Sequence, residues 1–134
     1  MTPPWQIVID LNEAEPGLLP ADLEAMAQTF AEEIRSGRLV QTAELLRETE
    51  VPEGSMSVLG ALTAIVGAVV SPELITSLVG FLLKRFEPEK LYFSWTDGDR
   101  GVAFEYTTPE EFDRQIQAAK ELSNFCIQVK GNGI

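Results

Sequence analysis

Residues 58–83 read VLGALTAIVGAVVSPELITSLVGFLL, a run with no Lys or Arg and one carboxylate, Glu73. No other stretch of the chain limits the fold as strongly. Roughly 20 apolar residues are enough to cross a bilayer, so length alone permits a span. The punctuation inside the run argues otherwise. Ser71-Pro72-Glu73 has the form of a helix start: a hydroxyl side chain as N-cap, proline at the first helical position and an acid in the first turn. The residue before a proline also avoids helical geometry. The run therefore divides into two predicted helices, Val58–Val70 and Leu74–Leu83, the second extending to Phe86. A helix of that length rises only about 20 Å, short of the ~30 Å hydrocarbon core. Neither arm spans a membrane alone, and the expectation is an apolar helical hairpin at about 57–86.

Along the first arm and the break that follows it, Gly60, Ala64, Gly67 and Ser71 form a stripe of small residues at helical spacing; Gly80 lies in the second arm. Small residues let helix backbones approach closely, and in lipid they drive association. These five are the candidate interaction residues. Two uses are compatible with them: two core helices packed tightly on a sheet, or a hairpin that oligomerises or inserts into a membrane. The capped break and short arms favour the core. Interior glycines cost about 1 kcal/mol each relative to alanine, so close packing or a conformational change has to offset them.

The rest of the chain reads as one α+β domain. Gln6 to Leu11 alternates Ile7, Ile9 and Leu11 with Val8 and Asp10, a strand pattern. Pro20 opens a helix with Leu23, Met26, Ala27, Phe30, Ala31 and Ile34 on one face, and Gly37 is its expected stop. Residues 38–51 suit a strand with an irregular part, placed beside the first strand by a right-handed crossover. Leu91, Phe93 and Trp95, then Val102, Phe104 and Tyr106, alternate on either side of Asp97–Gly101, which predicts a β-hairpin. Thr108-Pro109-Glu110-Glu111 caps a last helix carrying Phe112, Ile116, Ala119 and Leu122. The end, CIQVKGNGI, adds a short strand or frays. The expected order is β-α-β, helical hairpin, β-hairpin, α, with an antiparallel or mixed sheet of about four strands.

Composition excludes several chemistries. The 134-residue chain has a formal net charge of −11, which disfavours nucleic acid and anionic lipid and suits a basic partner surface. It has no histidine, so no Ser-His-Asp, Cys-His or histidine-ligated metal site can form. The single cysteine, Cys126, fits a reducing compartment and, in its apolar FCI context, an inert buried thiol. The N-terminus lacks the pattern of a secretory signal, and the expectation is a cytoplasmic protein. Asp97-Gly98-Asp99 resembles the start of a calcium loop, but the twelfth position is Thr108 instead of Glu, so it reads as a hairpin turn. The acids Glu32, Glu33, Glu44, Glu48, Glu50 and Glu53 read as a solvated face or a docking surface. No catalytic, metal or cofactor residue is expected.

The layout from Val51 to Leu122 resembles the effector-associated constant component type 1 domains. The resemblance is carried by the Pro52-Glu53-Gly54-Ser55-Met56 turn, the Leu59–Leu62 opening, the Gly/Ala-rich apolar stretch and the basic end Lys84-Arg85. The strand pair with Asp97-Gly98 and the final Thr108-Pro109-Glu110-Glu111 helix complete it. The chain departs in its acidic N-terminal half and in having only two basic residues after the second apolar segment. The resemblance implies a non-enzymatic component of bacterial conflict or defence systems, encoded beside effectors that are often caspase-like or trypsin-like peptidases. On that expectation the partner is a co-encoded peptidase and the hairpin is a switch or membrane-acting element. The alternative is a constitutive dimerisation or adaptor domain whose hairpin is purely structural.

Overall fold

The structure, a computed structural model, describes residues 3–46 and 64–131. Its elements are β1 (Trp5–Glu13), α1 (Pro20–Ser36), β2 (Thr42–Leu45), β3 (Ile65–Val70), α2 (Ile75–Phe86), β4 (Lys90–Asp97), β5 (Arg100–Glu105), α3 (Pro109–Ala118) and β6 (Ser123–Lys130). A one-turn 3-10 helix, Pro72–Leu74, leads into α2. The strands form one six-stranded mixed sheet in the order β2-β3-β1-β6-β4-β5. All neighbours are antiparallel except β1 and β6, which are parallel.

Side chains alternate between the two faces of a strand. Ile7, Ile9 and Leu11 of β1, Val66, Ala68 and Val70 of β3, Phe93 and Trp95 of β4, and Phe125 and Ile127 of β6 share one buried cluster. Phe30 and Ile34 of α1, Leu78 and Leu82 of α2 and Phe112 of α3 belong to the same cluster, so the three described helices cover one face. Phe93 sits at its aromatic centre, with ring centroids 4.6 Å from Phe112 and 5.2 Å from Phe104.

The helical hairpin is corrected. Ile65–Val70 is a strand, paired antiparallel with β1 and with β2. IVGAVV is rich in β-branched residues, which lose rotamer freedom in a helix and fit a pleated surface. A strand buried on both faces reads as an unbroken apolar run, so its periodicity mimics that of a buried helix. Residues 58–63 of the expected first arm lie outside the described residues. The second arm stands as α2. It follows Pro72, reaches Phe86 and ends with Glu87 in the left-handed region at φ 44°, its N–H bonded to the Leu83 carbonyl.

Three further expectations change. The sheet has six strands instead of about four. β2 is not beside β1, because β3 lies between them. The chain end, expected as a short strand or a frayed tail, gives in its described part an eight-residue strand, β6, between β1 and β4, with Phe125, Ile127 and Val129 in the core. Smaller adjustments are physical. α1 ends at Ser36 as expected, but Gly37 stays right-handed and Arg38 takes the positive φ of 58°. α3 stops at Ala118, before Ala119 and Leu122, since the Asp97 carboxylate accepts the amide of Glu121 at 2.8 Å and draws the chain towards β6.

Candidate functional site

The sheet face turned away from the helices carries the candidate site. One register row there crosses all six strands: Glu44, Gly67, Val8, Cys126, Ser94 and Ala103. The next runs Ile65, Asp10, Gln128, Tyr92 and Glu105. Val8, Asp10, Ile65 and Cys126 are buried in the middle of this face, while Gln6, Glu44 and Asn124 are exposed towards one end.

Two clefts meet at that end. One, of about 310 Å³, has Gly67, Val69 and Val8 in its lining together with Thr42, Glu44 and Leu46. The other, of about 410 Å³, is lined by Pro3, Pro4, Trp5, Ser123, Asn124 and Phe125 among others. Gln6 and Val8 line both, so the two form one groove across β2, β3, β1 and β6. Together they lie in the size range of ligand and peptide sites. Among the described residues Glu44 is the one charged side chain in the lining.

Local backbone devices shape the groove. The β4–β6 register slips between Ser94 and Thr96, so Trp95 faces two residues of β6. Asn124, at this bulge, has φ 52°, a conformation Asn tolerates better than most residues. At the other end Gly67 lets Leu46 lie on the strand: a Cβ there would come within 2.8 Å of a Leu46 methyl.

Away from the groove, the face is held by a buried polar link. The Asp10 Oδ1 accepts the Asn12 N–H at 2.9 Å, and the Asn12 Oδ1 accepts the Ala64 N–H at 3.1 Å. Burial pushes the Asp10 carboxyl above its ordinary value, against the hydrogen bonds from Asn12. Burial, with the Asp10 charge in support, pushes the Cys126 thiol up to about 12, so it stays protonated as an inert core group. At the far end of β4, the Asp97 carboxyl is held below its usual range, first by the Glu121 amide. The calcium-like triplet is thus a hairpin turn, with Gly98 at φ 64°.

Of the five candidate interaction residues, the four that are described do not come together at one site. Ala64 is fully buried at the start of β3, with its N–H on Asn12. Gly67 alone lines the groove. Ser71 is extended ahead of Pro72 as an N-cap should be, but its hydroxyl accepts from the Gln41 side chain at 3.4 Å instead of capping the turn. Gly80 faces open space on the exposed side of α2. Gly60 lies outside the described residues. Among the surface acids, Glu44 lines the groove, Glu33 pairs with Arg85 at 2.9 Å, and Glu48, Glu50 and Glu53 lie outside the described residues.

Sequence reasoning did not select Gln6 or Asn124. The polar pair Ser123-Asn124 ahead of the apolar Phe125–Ile127 was the available signal of a bulge. Among the described residues, no group of three or more acids or cysteines is placed to hold a metal ion. No described helix is long and apolar enough to cross a membrane. Comparison with known proteins gave no match to a family model, a curated protein or a solved structure.

Proposed function

We propose that this chain is a non-enzymatic accessory component that binds a co-encoded effector peptidase of a bacterial defence system. The groove on the face away from the helices is the contact surface. The observation that carries this reading is the groove itself: exposed Gln6, Glu44 and Asn124 stand around apolar Val8, Val69 and Gly67. Hydrogen-bonding groups around an apolar floor, with one carboxylate, suit a peptide segment bearing a basic residue. The layout from Val51 to Leu122 supplies the class of partner. A membrane-acting hairpin is no part of the proposal, because Ile65–Val70, within the segment that would insert, is a strand of the sheet.

Calorimetric titration against the neighbouring peptidase tests it. The wild type should bind, and Glu44→Lys should weaken binding by about tenfold or more through charge repulsion at the groove. Its thermal stability should not change, since Glu44 is exposed on an edge strand. No complex with the wild type would overturn the partner. Binding indifferent to Glu44→Lys and to Gln6→Arg would overturn the groove.

A further inference from the structure

Among the described residues β5 is the outermost strand on its side of the sheet and pairs only with β4. In an antiparallel ladder, successive residues turn their N–H and C=O alternately towards and away from the partner strand. The Tyr106 N–H bonds the Leu91 carbonyl at 2.7 Å, and Arg100 sits opposite Asp97 across the tight turn. By alternation Arg100, Val102, Phe104 and Tyr106 bond to β4, and Gly101, Ala103 and Glu105 present their backbone groups outward. All three are exposed.

Sheet edges are commonly blunted by proline, lysine, bulges or shortness. β2, at the other edge, has four residues. β5 has six, with no proline and no register slip, and its charges, Arg100 and Glu105, stand only at its two ends. Its helix-side row is also incomplete. Val102, Phe104 and Tyr106 are only half-buried, while Leu91, Phe93 and Trp95 on β4 are at most 4% exposed. The apolar layer runs to the edge and stops there.

We infer that β5 is the seam of a homodimer, in which two copies pair antiparallel through β5 about a two-fold axis at Ala103. In that register Ala103 meets itself, Gly101 meets Glu105 of the second copy, and both exchange their outward backbone hydrogen bonds. On the helix side Val102 meets Phe104 and Arg100 meets the Tyr106 ring, which already lies in the field of Glu110. The axis thus falls on a small residue, apolar groups face apolar groups, and a cation meets an aromatic ring with an acid beside it. Moving the axis to Val102 would set Glu105 against Asp99 of the second copy, a like-charge pair. A slip by one residue would turn the core row to the wrong face. The inference is independent of the peptidase, because the seam lies on β5 and the groove on β2, β3, β1 and β6.

Sedimentation velocity across a wide range of protein concentrations tests it. The wild type should dimerise. Ala103→Pro should be monomeric with an unchanged circular dichroism spectrum, because an outward N–H takes no part in the β4 ladder. Ala103→Glu and Ala103→Lys should each weaken the dimer by about tenfold or more, since each sets like charges opposite one another. An equal mixture of the two should recover a mixed dimer, because residue 103 meets itself only in this register. A monomeric wild type at all concentrations would overturn the inference. So would a dimer unaffected by Ala103→Pro, or a Glu/Lys mixture that stays monomeric.

Discussion

The carboxyl of Asp10 lies on a central strand, 2% exposed, and is held by Asn12. Its position is costly, because a side chain so deeply buried has little water to solvate a charge. The folded-state value is raised above 3.8, so folding takes up a proton between the unfolded and folded values. The penalty is complete above the folded value and disappears as pH falls through it. Asp10→Asn should therefore raise the melting temperature by a few degrees at pH 7, with the gain shrinking on acidification. An amide oxygen can still accept the Asn12 N–H. Thermal unfolding of both proteins across the acidic range checks this; a loss of stability at pH 7 would mean that the ionised carboxylate is needed by the Asn12–Ala64 link.

At the scale of elements, glycine separates two situations. Gly80 has no neighbouring atom within 4 Å of where a Cβ would sit, and it lies inside a helix. Gly80→Ala should stabilise by roughly 0.5–1 kcal/mol through helix propensity. Gly131 follows β6, gives its N–H to the Glu13 carbonyl at 2.7 Å and would drive a Cβ into the backbone of Ala14. Gly131→Ala should destabilise by about 1–3 kcal/mol, because backbone cannot move aside as a side chain can. Urea denaturation of the pair gives both signs. The same contrast explains what the sequence could show. α1, α2, α3 and the β4–β5 hairpin each keep a wet face, so their periods survive in the residue pattern. β3 is apolar on both faces and hides its period behind a proline-terminated run. The groove is less legible still: Gln6, Glu44, Gly67 and Asn124 come from four separated strands, and no local spacing unites them.

For the whole molecule, the charge balance of −11 is scarcely offset locally. Among the described residues, Arg100–Asp97 and Arg114–Glu111 are three-residue neighbours, and Arg85–Glu33 joins α2 to α1. Self-repulsion then works against the compact state, and salt screens it. The melting temperature should rise by several degrees between low ionic strength and about 0.5 M sodium chloride; calorimetry in a salt series checks it, and a fall would mean that the ion pairs outweigh the repulsion. The parallel pairing of β1 with β6 has a consequence in time. β1 and β6, the first and last described strands, are neighbours at the centre of the sheet, with β2 and β3 on one flank and β4 and β5 on the other. On the ribosome both flanks are translated before β6 joins them, so a nascent chain carries β1 with one of its two strand partners missing. The sheet should close only once β6 is available, and this long-range pairing should be the slow step of folding.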